Sequence, residues 1–208
     1  MKYIYDIEKY LSYEKLYLEQ GKRYICGVDE VGRGPLAGPV SVCACIMDLD
    51  KPVMGVRDSK KLTAAKREEL SELLMQNCID YCIVDIEEST IDEINILNAV
   101  IRGAVKAVEG LRVKPDIVLA DALKLDLEME SLGIIGGDDL SYSIAAASIL
   151  AKVHRDALMD DIHNKYPSYG FCRNKGYGTP EHISALNRLG PAPVHRKTFI
   201  KKILEGVM

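Results

Sequence analysis

Two short runs dense in Val, Ile, Cys and Tyr, 24–31 and 39–47, flank the connector Gly32-Arg33-Gly34-Pro35-Leu36-Ala37-Gly38. Runs of this length and composition read as strands, and a Gly- and Pro-rich connector predicts a hairpin between them. The first run ends on two adjacent carboxylates, Asp29 and Glu30, which are costly at the end of an apolar strand unless something pairs them. A divalent cation is the economical partner. Neighbouring strand residues point to opposite faces, so one metal centre can use both acids only if the chain bends, and Gly27 and Gly32 permit that. The glycines also let backbone N–H groups approach a hydroxyl or phosphate without a Cβ in the way.

Elsewhere the periodicity alternates between helix and strand. One apolar face (Tyr3, Ile7, Tyr10, Leu11, Tyr17, Leu18) predicts an amphipathic helix ended by Gly21, an appendage of residues 1–21 on a domain of 22–208. Thr63 is placed to cap a helix to about residue 76, and 78–86 alternates as a strand. Thr90 and Glu93 form a capping box from which a helix continues through Ile96, Val100 and Ala104. Short apolar runs at 117–120 and at Ile134-Ile135 read as strands, and 141–164 keeps helical period. Thr179-Pro180-Glu181 starts a helix that Gly190-Pro191 ends. Paired strands followed by alternating strands and helices predict one α/β domain with a mixed sheet.

The acids recur at the strand ends. Asp121 closes the 117–120 run, and Asp138-Asp139 follow Gly136-Gly137 after the next. Acids so placed converge on one sheet edge, and an oxygen donor set without His or Cys favours Mg2+ or Mn2+ over zinc. Two such ions roughly 4 Å apart activate a water and stabilise the leaving oxygen in phosphodiester cleavage. The net charge of −4 hides a segregation: 171–202 carries seven basic residues and one acid, whereas 80–95 carries six acids and no base. The basic stretch reads as a local phosphate-holding stripe or a solvated face. His195 beside Arg196 reads as a helper near phosphate or as a structural hydrogen-bonding group, and Lys152 and Arg155 as facing substrate or solvent. The longest apolar run near the front, 42–47, falls far short of the roughly 20 residues that cross a bilayer. No signal core precedes it, so a cytoplasmic protein with no membrane association is expected. Cys43 and Cys45 sit at strand spacing on one face, as reduced core residues rather than zinc ligands.

The stretch from Val28 through Asp29-Glu30-Val31-Gly32-Arg33-Gly34-Pro35 to Val40 resembles the opening motif of the ribonuclease HII family, the type 2 ribonucleases H. Further matches follow in the family's order: Asp58-Ser59-Lys60-Lys61-Leu62, Asn95-Ile96-Leu97, the run from Ser143 to Val153 with Arg155-Asp156, Lys175-Gly176-Tyr177-Gly178-Thr179, and His195-Arg196. The resemblance implies an RNase H-like fold, a mixed sheet flanked by helices with additional C-terminal helices. It implies a monomeric endoribonuclease that cleaves RNA in RNA–DNA hybrids and nicks duplex DNA 5′ to a single ribonucleotide, leaving a 5′-phosphate. By position, Asp29, Glu30, Asp121 and Asp138 correspond to the metal-binding acids of a two-ion (Mg2+ or Mn2+) centre. Gly32-Arg33-Gly34 corresponds to the backbone sensor of the ribose 2′-hydroxyl, the group that separates RNA from DNA. Tyr177 corresponds to the tyrosine packing on the neighbouring sugar, and Lys60 and Lys61 resemble phosphate-contacting lysines. Under the resemblance, Ser148 and Lys152 are further candidates for substrate binding.

Three positions depart from the family's pattern. Ala122 stands where glycine usually follows the third acid, Gly136 where lysine is frequent, and Asp139 where a small or hydroxyl residue is commoner. Asp138 and Asp139 both remain candidates for the fourth acid. The Gly-Arg-Gly sequence favours this class over ribonuclease HIII. A non-catalytic nucleic-acid-binding module is the competing reading. A nucleotide-phosphate enzyme is weaker still, because neither a dinucleotide fingerprint nor a phosphate-loop lysine is present.

Overall fold

The computed structural model describes residues 7–206. Two helices, α1 (Ile7–Tyr10) and α2 (Ser12–Glu19), lead into the strands β1 (Ile25–Val31) and β2 (Val40–Met47). A 3-10 turn at Ser59–Lys61, α3 (Ala64–Asn77) and β3 (Cys78–Ile86) follow, then α4 (Glu88–Ile94), α5 (Ile96–Glu109), β4 (Ile117–Asp121) and β5 (Glu130–Ile134). The long α6 (Tyr142–Lys165) and the shorter α7 (Phe171–Asn174), α8 (Pro180–Leu189) and α9 (Lys197–Leu204) complete the chain.

Among the described residues the sheet has five strands in the order β3-β2-β1-β4-β5. β1, β2 and β3 form an antiparallel meander, and β4 and β5 join the free side of β1 in parallel. This is the mixed sheet expected from the sequence. Both faces are covered, and β2 shows why. Its Cys43, Cys45 and Met47 pack against Tyr142, Ala146 and Leu150 of α6, while Val42, Ala44 and Ile46 pack against Ala99, Val100 and Ala104 of α5. The period-2 alternation of a strand thus divides one apolar run between two helical layers. Cys43 and Cys45 are fully buried core thiols.

Glycine sets the distance between sheet and helix. A Cβ on Gly27 would lie 2.1 Å from the Ser143 carbonyl carbon, so α6 approaches β1 only because that position is bare. The expected bend at Gly27 is therefore corrected. β1 pairs with β2 without a break from Cys26↔Ile46 to Val31↔Ser41, and Gly27 serves close packing instead.

The helix expected from the Thr90/Glu93 capping box is also corrected. α4 begins at Glu88, so Ser89 and Thr90 lie inside it, and Asn95 (φ 67°) breaks the run. The Asn95 side chain then accepts from Asn98 N–H and caps α5. Asn tolerates a left-handed backbone and caps well, so one residue both ends the first helix and starts the second.

Of the expected N-terminal helix, Tyr3 lies outside the described residues, as do residues 207 and 208 of the expected domain. The rest is corrected to two helices that break at Leu11, and Leu18 of the expected apolar face is exposed, while other residues pack against the domain. Tyr10 and Tyr17 are buried, and Glu14, fully buried, accepts from Ser141 Oγ (2.6 Å) and Ser143 N (2.9 Å) at the start of α6. Burial pushes the Glu14 carboxyl upward, with the hydrogen bonds from Ser141 and Ser143 opposing. Among the described residues no helix is long and apolar enough to cross a membrane.

Candidate active site

Strand register alone brings the first acids together. β1 and β4 run parallel with Val28 opposite Ala120, so Asp29 and Asp121 follow side by side where the paired stretch ends. Asp121 is paired on its other side with Ile134 of β5, and its Oδ1 accepts from Gly137 N at 2.8 Å. A cleft of ≈ 340 Å³ opens at this edge. Asp29, Glu30, Asp121, the loop Gly32-Arg33-Gly34, Ser59, Lys60, Ser148, Lys152 and Tyr177 all line it. No bend is needed for Glu30 to join Asp29, because beyond the end of the β1–β4 pairing both acids border the same opening.

The cleft is electrostatically strained. Asp29 is only 5% exposed, and burial, reinforced by the neighbouring Glu30 and Asp121 charges, pushes its carboxyl well up. The Glu30 N–H, 2.8 Å from Asp29 Oδ1, and the Ser148 hydroxyl offset part of that. Glu30 is also raised by burial, against the opposing pull of Arg33, whose Nη1 lies 3.1 Å from its Oε1. The other oxygen, Oε2, is buried with no hydrogen-bond partner.

Asp138 is set slightly apart from the cleft's lining. It is mostly buried, raised by desolvation, and lies 3.3 Å from Lys60 Nζ. Asp139 instead turns outward and pairs with Lys61 at 2.5 Å. This geometry puts Asp138 on the side of the other acids and Lys61 away from the lining residues.

A buried, mutually repelling oxygen set with an orphaned carboxylate oxygen suits a hard divalent cation. As the side chains stand, no three of them close on a single chelation point, since Asp138 is drawn to Lys60 and Asp121 to Gly137.

The loop after β1 is held from behind by two arginines that are both fully buried. Arg196 donates to the carbonyls of Gly32 (2.6 Å), Arg33 (2.9 Å) and Gly38 (2.7 Å). Arg155 donates to Pro39 (2.9 Å), Ala37 (3.3 Å) and Lys175 (3.0 Å). Guanidinium forks are suited to collecting carbonyls that a loop cannot satisfy itself. Burial depresses both, Arg196 to about 10. The basic stripe is corrected in part: Arg196 is a fully buried structural group, Lys175 is tied to Asp160 (2.5 Å) and Arg173 pairs with Glu181, while Arg188, Lys197, Lys201 and Lys202 are exposed. Lys152, in the cleft wall, pairs with Asp156 at 2.5 Å. His195 is buried against His182, on the structural side of the two readings.

Sequence reasoning missed Ser59, whose hydroxyl lies 3.0 Å from that of Ser148, and the loop-holding role of Arg155 and Arg196. All three fall inside the matched motifs, which was the available signal, but an arginine's spacing in sequence does not distinguish carbonyl partners from phosphates.

A sequence model of ribonuclease HII matches residues 26–202. The ribonuclease HII of Caldicellulosiruptor bescii is 50% identical over 198 residues, 95% of this chain and 96% of its own length. The crystal structure of the ribonuclease H2 from Pyrococcus horikoshii matches with a TM-score of 0.77 at 28% identity, over 89% of this chain and 99% of that one. The crystal structure of Bst-RNase HIII in complex with Mn2+ shares the fold (TM-score 0.71, 18% identity, 89% of this chain and 70% of that one). With that family's pattern running through nearly all of its length, and its RNase H-like fold around the cleft, the chain belongs to the ribonuclease HII family.

Proposed function

We propose that the chain cleaves the RNA strand of RNA–DNA hybrids and nicks duplex DNA 5′ to a single embedded ribonucleotide, leaving a 5′-phosphate and a 3′-hydroxyl. One observation carries the proposal. The acids at the ends of β1 and β4 open into the same cleft as the Gly32-Arg33-Gly34 backbone and Tyr177. Hydrolytic chemistry and a probe of the sugar are thus a few residues apart.

Asp29, Glu30, Asp121 and Asp138 would hold the divalent ions, Mg2+ or Mn2+. Bound there, two ions supply an activated water and neutralise charge on the leaving oxygen. The chain's own groups position the strand. Backbone groups of Gly32–Gly34 read the 2′-hydroxyl at a point where Gly34 has only Tyr177 within reach of a Cβ, at 3.7 Å. Lys60 and Lys152 stand in the cleft wall for phosphate, with Ser148 beside Asp29. Lys61 contributes charge from further out. Tyr177, 46% exposed, offers its ring to the adjoining sugar. In this reading the chain works as a cytoplasmic monomer.

The test is a duplex with one ribonucleotide, incubated with Mg2+ or Mn2+ and with chelator. Cleavage 5′ to the ribonucleotide that chelator abolishes, and that Asp29→Asn and Asp121→Asn each remove while binding persists, is the expected result. Binding without cleavage by the unaltered protein would instead favour the nucleic-acid-binding module, and full activity in either variant would refute the assignment.

A further inference from the structure

Tyr177 stands in the cleft wall on the segment between α7 and α8, and its main chain is fixed from the side away from the cleft. Its N–H donates to the Asn174 carbonyl (2.8 Å), and its own carbonyl accepts from Thr179 N–H (2.8 Å). A third contact is less ordinary. The Tyr177 carbonyl lies 2.9 Å from Nδ1 of His182, whose Nε2 lies 3.1 Å from Nε2 of His195. His195 Nδ1 in turn lies 2.9 Å from the backbone N of Ala192. Both rings are buried, and Tyr169 and Phe171 pack against them.

With both buried rings neutral, only one arrangement of protons satisfies this chain. A carbonyl can only accept, so His182 must carry its proton on Nδ1. Neutral His182 then presents Nε2 as an acceptor, which requires the proton of His195 to be on Nε2. That leaves His195 Nδ1 to accept from Ala192 N–H, while the Ala192 carbonyl is served by the backbone N–H of His195 at 3.0 Å. The Ala192 carbonyl also lies 3.1 Å from His195 Nδ1, so a second proton there would exchange the Ala192 N–H bond for the carbonyl, and burial disfavours that charge. The ionisable groups facing the pair are each other and the phenol of Tyr169, whose hydroxyl is engaged with the Gly190 carbonyl. The adjacent Arg196 is turned to Gly32, Arg33 and Gly38.

We propose that His195 and His182 form a proton-ordered relay that positions Tyr177, and that this buried pair thereby sets the preference for a lone ribonucleotide without touching substrate. The relay rests on the reading of Tyr177 given above and extends it. It makes both histidines positioning residues. Their effect passes through the carbonyl of the residue that meets the sugar, so a defect in the relay should copy a defect in Tyr177.

Two substitutions at one site separate positioning from mere packing. His182→Asn keeps an amide nitrogen where Nδ1 stands and so retains a donor to the Tyr177 carbonyl; His182→Gln places its amide at the Nε2 position and withdraws that donor. The readout is kcat/KM on a duplex with one ribonucleotide divided by kcat/KM on a uniform RNA–DNA hybrid, measured below each variant's melting temperature. His182→Gln should lower this ratio about tenfold and His182→Asn by less than about threefold. The double variant His182→Gln/Tyr177→Ala should be no worse than Tyr177→Ala, because the two act as one unit. Equal ratios for the Asn and Gln variants, equal losses on both substrates, or additive effects would each overturn the relay. Tyr177→Ala alone tests the underlying reading. If it leaves the ratio unchanged, Tyr177 is not the sugar contact; if it lowers the ratio and His182→Gln does not, only the relay fails.

Discussion

Gly32 and Arg155 approach more closely than any side chain on residue 32 would permit: a Cβ there would lie 2.2 Å from Arg155 Nε and 2.7 Å from its Cδ. The same glycine has φ +101°, so an L side chain would be strained even in open space. Gly32→Ala must push the guanidinium off the carbonyls of Ala37, Pro39 and Lys175, and the loop loses its anchor with the cleft. We expect a loss of about 2–3 kcal/mol in stability and at least about 100-fold in kcat/KM. Denaturant melts and initial rates on the single-ribonucleotide duplex check both; near-normal values would mean the Arg155 contact does not support the site.

Asp29 illustrates a site assembled against its own stability. Its folded pKa is raised, chiefly by burial and then by Glu30, so its contribution favours the fold below the ordinary carboxylate range and is lost as pH rises through the folded value. Above the ordinary carboxylate range and without metal, the buried acid therefore opposes folding. Asp29→Asn should raise the melting temperature in chelator by about 3 °C or more while abolishing cleavage. Adding Mg2+ should stabilise the unaltered protein more than the variant, since an ion that binds only the folded state shifts the equilibrium toward it. A variant that melts lower in chelator would contradict the electrostatic account.

Much of the fold could be read directly from the sequence because its signals are local. Thr63 accepts from Lys66 N and Thr179 from His182 N, and each begins the helix its residue type predicts. The 78–86 run is a strand with those bounds. Asp29, Glu30 and Asp121 could be placed together because strand ends share an edge. What escaped depends on partners far along the chain. Arg196 reaches Gly32 across 164 positions, and Gly27 is bare for the sake of Ser143. Neither requirement leaves a periodicity or a charge pattern. Ile135 shows the same limit at short range: its apolar pairing with Ile134 predicts a strand through both, yet β5 stops at Ile134 and Ile135 is 88% exposed.

Ala122, immediately after Asp121, adopts φ +50°. A Cβ in the left-handed region costs roughly 1–2 kcal/mol, and glycine's extra unfolded-state freedom takes back about 0.5–1. Ala122→Gly should thus stabilise the protein by about 0.5–1 kcal/mol, a rise of about 1–4 °C in melting temperature, with cleavage retained. Calorimetry decides it. A lower melting temperature would show that the methyl group's packing outweighs the backbone strain.

The histidine pair gives the fold a distinct dependence on acid. Burial lowers His195 from its ordinary value to about 4 and lowers His182 as well. Between about pH 6.5 and 4 the unfolded chain binds a proton that the folded His195 refuses, so unfolding free energy rises with pH across that window. The contribution is complete above the upper limit, is lost toward the lower one, and amounts to at most about 3 kcal/mol for His195. Asp29, Glu30 and Glu14, all raised, act in the opposite direction, so the raw profile mixes the two. His195→Phe keeps an aromatic ring against Tyr169 and Phe171 but cannot titrate. Subtracting its stability profile from that of the unaltered protein should leave a slope confined to this window, with the unaltered protein relatively weaker at the acid end. Parallel profiles would mean that the pair takes up protons as freely in the fold as outside it, and the neutral arrangement of the two rings would be wrong.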